Sequence, residues 1–306
     1  MPTVSVVVPV LNAAPTISAT LAALGDQRFD GEYEVIVVDC GSTDGTLALL
    51  NGAAVTVLHH PERDPAGARN RGAEHAHSEL LAFTDADCAP EAGWLAAGVA
   101  ALHGADLVQG RVLPARAPGP LERTVSVGAE HGLYETANLL VRRQAFDRAG
   151  GFGPVPGLAL APGRHFGEDT WFAWRARRAG ARTAFAPDAV VRHAVFPRSP
   201  GAFVAERQRA AYFPALVAAV PELRTAFLHR RLFLSPASLR FDLALLGATA
   251  SRRRRAGWLL ALPWAADTAR RARRDGAGAA CATAAADALT AAALVAGSVR
   301  YRTPVL

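Results

Sequence analysis

The sequence predicts an α/β protein with a mostly parallel sheet, helices on both faces of that sheet, and a helical appendage at its C-terminal end. Two observations predict it. Up to residue 200, short β-branched apolar runs alternate with Ala- and Leu-rich segments of helical length. Such alternation is typical of βαβ units. Beyond that point the pattern is helical, apolar and rich in arginine, so we expect domains at 1–200 and 201–306.

The first five strands are predicted where successive positions are apolar, as in a strand that is buried on both faces. They cover residues 4–11, 33–38, 55–58, 80–84 and 106–113. Helices are expected between them, where alanine and leucine are frequent, at residues 16–24, 43–50, 66–76 and 91–103. This order predicts a sheet whose strands end in polar loops along one edge.

The next segments are less regular. Residues 114–120 (PARAPGP) cannot hold regular structure, and residues 121–150 form a mixed region. Residues 151–167 are rich in Gly and Pro and predict a long loop, typical of a lid or binding segment. After it we expect a helix over residues 168–178 and strands at 183–185 and 189–193.

The composition excludes several classes of site. All 33 residues counted as lysine or arginine are arginine, so a Walker-type phosphate loop, a Schiff base and a kinase lysine are excluded. The three cysteines have no CxxC pair, which argues against a disulfide framework or a structural zinc site. The N-terminal segment has no basic region or cleavage site typical of a signal peptide, so we expect a cytoplasmic active site.

Polar side chains follow the predicted strands. Asn12 follows the first, Asp39 the second, and Asp85 and Asp87 the fourth. Alternation along a strand would place Asp85 and Asp87 on the same side. Two carboxylates so placed suit a divalent cation whose shell is completed by substrate phosphates. A solvated turn is the other interpretation of an Asp-x-Asp sequence, but the buried run before it favours a strand end.

Five segments in register resemble the inverting glycosyltransferases of family 2, which have the GT-A fold. They are residues 6–12 (VVVPVLN), 37–46 (VVDCGSTDGT), 68–72 (ARNRG), 83–87 (FTDAD) and 167–169 (GED). The resemblance covers residues 4–200. It implies transfer of a sugar from a nucleotide-diphosphate sugar to a hydroxyl acceptor, with Mn²⁺ or Mg²⁺ as cofactor.

The resemblance also implies roles for individual residues. Asp169 would be the catalytic base, with Glu168 beside it, and Asp87 would hold the metal. A histidine in the position of His193 completes the metal site in many relatives. The nucleotide would be bound by residues at the strand ends and on the third helix, namely Pro9, Asn12, Asp39, Ser42, Arg69, Asp85 and Ala86.

Elementary chemistry agrees with these roles. The leaving diphosphate gains negative charge, which a metal bridging its oxygens stabilises. Inversion needs a carboxylate on the acceptor side to take the hydroxyl proton. Asp169 is well placed for this role, because it begins a helix after a Gly/Pro-rich loop whose closure could assemble the site. An ordinary acidic helix N-terminus is the other interpretation of Glu168 and Asp169. Trp171 or Trp174 could stack on an acceptor sugar, with the other in the core.

The sequence departs from the family pattern at two positions. Cys40 and Cys88 stand where relatives often have acids, so a soft-metal or redox pair competes with the simpler interpretation of two buried thiols. The Gln-x-x-Arg-Trp signature of processive relatives is also missing, because Gln208 and Arg209 are followed by Ala-Ala-Tyr. We therefore expect transfer of a single sugar.

The C-terminal region is strongly basic. Residues 1–200 hold 17 arginines against 21 acids, whereas residues 201–306 hold 16 against 6. Arginine clusters flank the apolar segment 256–266 (AGWLLALPWAA), which suits a helix or hairpin lying in the headgroups of an anionic membrane. The Ala-rich segment 276–299 carries Asp287, which argues against a true span. A soluble helical subdomain is the alternative. The region lacks aromatic side chains placed to stack on bases, so we do not expect it to bind nucleic acid.

Together these features predict an inverting glycosyltransferase that is cytoplasmic, peripheral on the inner face of the plasma membrane, and active on a lipid-linked or cell-envelope glycan. Two alternatives stay open. One is a sugar-phosphate nucleotidyltransferase, although the Gly-rich basic loop and catalytic lysine of that class are missing. The other is a membrane-bound scaffold of the same fold with weak or no turnover.

Overall fold

The computed structural model describes residues 1–160 and 163–306 and divides them into two compact units. The sheet unit comprises Met1–Ala117, Thr124–Val155 and Ala159–Val195. The helical unit comprises Pro118–Arg123, Pro156–Leu158 and Phe196–Leu306. The sheet unit contains every residue to which the sequence analysis assigned a catalytic, nucleotide-binding or metal-binding role.

Strands of the sheet unit form one eight-stranded sheet within the described part of the chain, in the order β3-β2-β1-β4-β7-β6-β8-β5. The strands are β1 (Val4–Val10), β2 (Tyr33–Asp39), β3 (Thr56–His59), β4 (Leu80–Phe83), β5 (Cys88–Pro90), β6 (Leu107–Pro114), β7 (Leu139–Arg142) and β8 (Thr183–His193). The first four pair in parallel, as do β6 and β8. The pairs β4–β7, β6–β7 and β5–β8 are antiparallel, so the sheet is mixed.

Helices cover both faces of the sheet. They are α1 (Ile17–Gly25), α2 (Thr46–Leu50), α3 (Pro65–His75), α4 (Trp94–Leu102), α5 (Arg143–Ala149) and α6 (Glu168–Arg178). Val6 and Val8 of β1 share a buried cluster with residues of α1 and α4. Alternation turns Val7 to the other face, where Gly72 of α3 lies against it. Phe83 stacks on Phe146 of α5 on that same face.

Several predicted boundaries differ from the structure. The helix expected from residue 91 begins at Trp94, because the short strand β5 precedes it. The helix expected from residue 43 begins at Thr46, after a left-handed Gly45. The strands expected at 183–185 and 189–193 are one strand, β8, whose pairing with β6 shifts register between Gly110 and Arg111. The irregular pairing in the middle of β8 explains why the sequence predicted two separate strands there.

One prediction about strand geometry is wrong. β4 ends at Phe83, and Asp85, Ala86 and Asp87 lie in the turn that leads into β5. Strand alternation therefore does not set the directions of the two aspartates. Asp85 contacts Arg69 of α3, whereas Asp87 faces the end of β8.

The helical unit contains α7 (Pro200–Ala205), α8 (Phe213–Ala219), α9 (Leu223–Ala226), α10 (Pro236–Ala250), α11 (Leu262–Asp275) and α12 (Ala277–Tyr301). Two 3-10 helices, Glu206–Tyr212 and Arg255–Ala261, join them. α12 packs against α7, α8, α10 and α11. The Nε1 of Trp264 donates to Asp287 Oδ2 at 3.0 Å, so the carboxylate near the middle of α12 has a partner on α11.

By length and composition alone, α12 is long and apolar enough to cross a membrane. It is the one such helix in the parts of the chain that the structure describes.

Candidate active site

The ends of β1 and β2 are tied together by a polar loop. Asn12, which has a left-handed φ of 51°, accepts a hydrogen bond from the backbone N–H of Thr43 at 2.8 Å. Its own N–H donates to Ser42 Oγ at 2.9 Å. Pro9 is buried in β1 and pairs with Val38, and the pairing of β1 with β4 ends two residues earlier, at Val7. A proline has no N–H to extend that ladder.

Asp39 closes β2 and is buried. Its carboxylate accepts from the N–H groups of Gly41 at 3.0 Å and Ser42 at 3.2 Å, which fixes the loop that follows the strand. His59, at the end of neighbouring β3, brings its Nδ1 to 3.7 Å from Asp39 Oδ2. The sequence analysis missed His59. The parallel pairing of Asp39 with His59 explains their proximity, but pairing register is invisible in sequence.

Arg69 of α3 is buried and joins two parts of the site. Its Nη2 donates to Asp85 Oδ1 at 2.7 Å, and its guanidinium carbon lies 5.8 Å from the centre of the Phe152 ring. Burial lowers the pKa of Arg69, but the charges of Asp85, Glu168 and Asp169 outweigh burial and raise it overall. Arg69 therefore stays cationic between the Asp85 turn and the start of α6.

Asp87 and His193 face each other across the β5–β8 pairing. Asp87 Oδ2 lies 3.5 Å from His193 Nε2, and the backbone O of Asp87 accepts from Ala194 N at 2.8 Å. His193 Nδ1 lies 2.7 Å from the carbonyl O of Ala194, so this nitrogen carries a proton and donates. Nε2 of His193 is then the ring nitrogen that faces the carboxylate of Asp87.

The donor set fits a divalent cation. Asp87, Cys88 and His193 offer ligand atoms that lie within 4.8 Å of one another. Carboxylate oxygen and imidazole nitrogen are ligands that Mn²⁺ accepts, and the hydrogen bond from His193 Nδ1 to a carbonyl is the outer-shell contact typical of a metal-bound histidine. Asp87 and His193 would hold the ion, with the remaining positions open to a diphosphate.

Glu168 and Asp169 begin α6, after the left-handed Gly167. Asp169 Oδ1 accepts from the N–H of Thr170 at 2.8 Å. Burial, followed by the negative charges of Glu168 and Glu135, raises the pKa of Asp169 to about 8. A carboxyl group with such a pKa can take and release a proton near neutral pH, as a general base must.

Glu135 is a second residue that the sequence analysis missed. It lies just before the 3-10 helix Thr136–Asn138, and its Oε1 is 3.4 Å from His131 Nε2. Burial raises the pKa of Glu135, although His131 opposes this effect. The segment is held against α6, because Thr170 Oγ1 donates to the carbonyl of Leu133 at 2.7 Å. No sequence motif marks Glu135.

The two departures from the family pattern are buried thiols. Cys40 and Cys88 are buried and free. Burial, with the charges of Asp39 and Asp64, raises the pKa of Cys40 to about 11. Burial likewise raises the pKa of Cys88, as do Asp85 and Asp87. Both thiols are therefore neutral at physiological pH, which agrees with two buried thiols rather than with a soft-metal or redox pair.

The two tryptophans of α6 divide as the sequence suggested. Trp174 is buried, and its Nε1 donates to the carbonyl of Gly132 at 2.9 Å. Trp171 is partly exposed, and its ring is covered by the guanidinium groups of Arg175 and Arg178. Trp174 thus belongs to the core, and Trp171 is the one with a ring near solvent.

This mixed sheet, with acidic turns at the ends of β2 and β4 and an acidic pair at the start of α6, defines a GT-A glycosyltransferase. Residues 5–154 match the family model described as "Glycosyl transferase family 2", and residues 125–268 match "Glycosyl transferase family group 2". The chain is 32% identical over 216 residues to glycosyltransferase AglE of Haloferax volcanii, covering 64% of this chain and 68% of that protein. The chain belongs to glycosyltransferase family 2 and is a transferase.

Other similar proteins support this assignment. The pre-mycofactocin glycosyltransferase of Mycobacterium tuberculosis is 30% identical over 212 residues, although the chain spans only 42% of its length. The mannosyltransferase PcManGT of Pyrobaculum calidifontis, solved with GDP-Man and Mn²⁺, has a TM-score of 0.57 at 25% identity and covers 98% of this chain and 87% of its own. TarS of S. aureus shares the fold, with a TM-score of 0.53 at 19% identity over 97% of this chain and 55% of its own.

Proposed function

We propose that this enzyme transfers one sugar, with inversion, from a nucleotide-diphosphate sugar to a hydroxyl acceptor, and that a divalent cation assists departure of the diphosphate. The observation that carries the proposal is the position of Asp169. It lies at the start of α6, with a pKa of about 8 and close enough to Arg69 for their charges to interact. A partly buried carboxyl beside a fixed cation is well suited to act as a base next to an anionic donor.

In the proposed reaction, the acceptor oxygen bonds to the anomeric carbon while the bond from that carbon to the diphosphate oxygen breaks. Asp169 takes the hydroxyl proton, and the electron pair of the broken bond leaves with the diphosphate. Glu168 keeps the pKa of Asp169 high through its negative charge. The chain has no lysine to neutralise the diphosphate, so we assign this role to arginine and a divalent cation.

We assign the metal to Asp87 and His193, with Mn²⁺ or Mg²⁺ as the ion. When bound, the ion would neutralise the charge that develops on the diphosphate. Support comes from the 3.5 Å approach of Asp87 Oδ2 to His193 Nε2, and from Mn²⁺ in the structure of PcManGT. His193 is kept in one tautomer by the carbonyl of Ala194, so its Nε2 is ready to coordinate.

We assign the nucleotide to the loops at the ends of β1, β2 and β4. Asp39 and Ser42, which share a hydrogen bond, would contact the nucleotide at one side, and the Arg69–Asp85 pair would contact it at another. These groups are already positioned by hydrogen bonds, so donor binding would order little of the chain. The residues that complete the assignment are Pro9, Asn12 and Ala86.

The class of donor and acceptor follows from chemistry and from relatives. PcManGT binds GDP-mannose, so a GDP-hexose is the first donor to test. Gln208 and Arg209 lie in the 3-10 helix Glu206–Tyr212 without the tryptophan of processive relatives, which supports transfer of a single sugar. We propose a lipid-linked or cell-envelope glycan as acceptor, because the helical unit carries features of a membrane-binding surface.

Those features surround the 3-10 helix Arg255–Ala261. Trp258 and Leu259 there are 58% and 65% exposed. Leu245, Leu246 and Leu262 are also exposed, and the run Arg252–Arg255 lies between Leu246 and Trp258 in the chain. Exposed large apolar side chains beside arginines suit the headgroup region of an anionic bilayer. We propose that residues 1–200 form the transferase domain, and that residues 201–306 hold it on the inner face of the plasma membrane.

The test combines donor binding with product stereochemistry. The full chain is screened for thermal stabilisation by GDP-, UDP- and dTDP-sugars, each with Mn²⁺ and with EDTA, since a ligand that binds the folded state raises its midpoint. The selected donor is then incubated with an octyl glycoside or with the free sugar. We expect one donor to stabilise only with metal, an inverted anomeric centre by NMR, and faster transfer to the octyl glycoside.

A product of retained configuration would refute the inverting mechanism. If no nucleotide sugar stabilises the chain, the donor assignment is refuted, and a scaffold of the same fold without turnover is favoured. Equal rates with the octyl glycoside and the free sugar would refute a lipid-linked acceptor while leaving the donor assignment intact.

A further inference from the structure

Cys88 lies directly opposite His193 in the sheet. The antiparallel ladder between β5 and β8 pairs these two residues, so their side chains point to the same face. Residues paired in this way have Cβ atoms about 4.5–5.5 Å apart. Both are almost fully buried, with 1% of Cys88 and 4% of His193 exposed. The pairing of two strands, rather than a flexible loop, therefore holds the thiol beside the imidazole.

The three side chains at this point stand at distances close to those of a metal site. Asp87 Oδ2 lies 3.5 Å from His193 Nε2, and Asp87 Oδ1 lies 3.9 Å from Cys88 Sγ. All three ligand atoms lie within 4.8 Å of one another. Around tetrahedral Zn²⁺, bonds of about 2.3 Å to sulfur and about 2.0 Å to nitrogen and oxygen place such atoms about 3.3–3.5 Å apart. Small side-chain rotations would bring all three onto one ion.

The other buried thiol provides a comparison. Cys40 is also buried and free, but it belongs to no group of three mutually close ligand atoms in the described part of the chain. Its Sγ lies 4.0 Å from the carbonyl O of Val38, in the strand just before it. Burial alone does not bring a thiol to a metal site. The pairing with His193 distinguishes Cys88.

We propose that Cys88 is a third protein ligand of the metal site and makes that site prefer Zn²⁺ to Mn²⁺ or Mg²⁺. This inference rests on the proposed assignment of the metal to Asp87 and His193. Thiolate sulfur is a soft ligand that favours Zn²⁺, whereas Mn²⁺ and Mg²⁺ favour oxygen. Cys88 would coordinate as a thiolate, so its proton passes to solvent when the ion binds.

The ligand set still leaves room for the donor. Sulfur, nitrogen and oxygen from three residues occupy three positions of a tetrahedral ion, and the fourth stays open. An oxygen of the donor diphosphate can fill it. Zn²⁺ would therefore displace the Mn²⁺ or Mg²⁺ assigned to the transfer reaction without closing the site to the nucleotide.

The test uses Co²⁺, which takes the tetrahedral geometry of Zn²⁺ and reports its ligands by absorption. A Co²⁺–thiolate bond gives a charge-transfer band in the near ultraviolet that nitrogen and oxygen ligands do not give. We expect this band when Co²⁺ is added to the full chain without nucleotide, and we expect C88S to abolish it. C40S and C281S are the matched controls. They remove the other two cysteines of the chain and should leave the band unchanged.

Metal affinity gives a second readout. Competition with a chromophoric chelator measures the Kd for Zn²⁺, and calorimetry measures the Kd for Mn²⁺. C88S should raise the Kd for Zn²⁺ at least about tenfold and that for Mn²⁺ less than about threefold, since Mn²⁺ gains little from sulfur. C88A, which removes the sulfur without burying a hydroxyl, should give the same result. Equal loss of both ions in the two variants would overturn a role for sulfur in metal selection.

D87N separates failure of this inference from failure of the metal assignment. Co²⁺ that binds the unmodified chain but not D87N, with no thiolate band, would overturn the role of Cys88 and leave the metal assignment intact. A band that persists in C88S and vanishes in C40S or C281S would likewise overturn it, because the sulfur ligand would lie elsewhere. If D87N binds Co²⁺ and Zn²⁺ as tightly as the unmodified chain, the metal assignment is wrong and this inference falls with it.

Discussion

At the scale of single residues, the surroundings of Asp169 favour the protonated form of its carboxyl group. Its pKa is raised from 3.8 to about 8 by burial and by the charges of Glu168 and Glu135. Between these two values the folded state binds a proton that the unfolded state has released. Stability contributed by this group therefore falls as pH rises through that range. The same shift makes Asp169 a base only when pH approaches its pKa.

Asp169→Asn should consequently lose activity and gain stability. We expect transfer to fall by at least about a hundredfold, the usual contribution of a general base. Donor affinity should change little, and the unfolding midpoint at pH 8 should rise because a partly buried group with a raised pKa has been replaced by a neutral amide. Asp147→Asn, at an exposed position of α5, is the control and should alter neither. Comparable activity of Asp169→Asn and the unmodified chain would exclude Asp169 as the base.

The pH dependence gives an independent check on the same residue. At low substrate concentration, the transfer rate should increase with pH and level off above about 8, because kcat/KM reports the pKa of the free enzyme. Replacing Glu168 by Gln removes a neighbouring negative charge, which should lower the pKa of Asp169 and shift the rise to lower pH. A rise centred near pH 4 in the unmodified chain would contradict this environment.

Asp87→Asn tests the metal assignment. The amide keeps the shape of the side chain but loses its charge, so Mn²⁺ should no longer tighten nucleotide binding. We expect the Kd for the donor in Mn²⁺ to rise at least about tenfold and to equal the value in EDTA, by isothermal titration calorimetry. Asp188→Asn, on the exposed side of β8, is the control. An undiminished Mn²⁺ effect in Asp87→Asn would remove this residue from the metal site.

At the scale of elements, α3 must approach the sheet closely, because it carries Arg69 into the site. Gly72 permits this approach. A Cβ there would lie 2.4 Å from Val7 Cγ1 and 3.2 Å from Val38 Cγ2. The two valines are fixed in the parallel strands β1 and β2, so they cannot move far. The position of Arg69, one turn earlier, thus depends on a glycine.

Gly72→Ala should therefore destabilise the protein. In an open helix, alanine would stabilise by about 1 kcal/mol relative to glycine, but overpacking here should reverse the sign and cost about 1–3 kcal/mol. The free energy of unfolding is obtained from denaturant titration. Gly104→Ala is the control, because a Cβ there meets nothing within 4 Å. Unchanged or increased stability of Gly72→Ala would show that α3 can shift away from the sheet.

At the scale of the whole molecule, charge and exposed apolar side chains are concentrated in the C-terminal third. The 16 arginines of residues 201–306 outnumber its 6 acids, whereas residues 1–200 are slightly acidic. Trp258 and Leu259 are exposed on a 3-10 helix that begins at the last of four consecutive arginines. Such a surface should bind anionic vesicles, and salt should weaken binding because exposed charges are screened.

Vesicle sedimentation measures this binding. The unmodified chain should bind vesicles containing phosphatidylglycerol and not neutral vesicles. The double variant W258A/L259S should bind at least about tenfold more weakly, since it removes the two exposed apolar anchors. Leu47→Ser replaces a similarly exposed leucine on α2, away from the arginine run, and should bind normally. Equal binding to both kinds of vesicle would refute an electrostatic membrane surface.

The sequence by itself determined the family, the polar loops after the first strands, and six of the eight strands of the described sheet, all except β5 and β7. Buried parallel strands are continuous apolar runs, so β1, β2 and β4 could be located to within a residue or two. The phrases around Asp39, Asp87 and Asp169 identified the fold because they occur in the family's order. These features are local in the chain, and local patterns are what a sequence displays.

Only the tertiary structure decided which side chains meet. Antiparallel pairing of β5 with β8 places Asp87 beside His193, and parallel pairing of β2 with β3 places His59 beside Asp39. His165 reaches Asp64 across about a hundred residues of chain in the same way. Pairing register and helix packing fix such contacts, and a register shift of one residue would turn each side chain to the opposite face. That is why the sequence could name candidate site residues but not their arrangement.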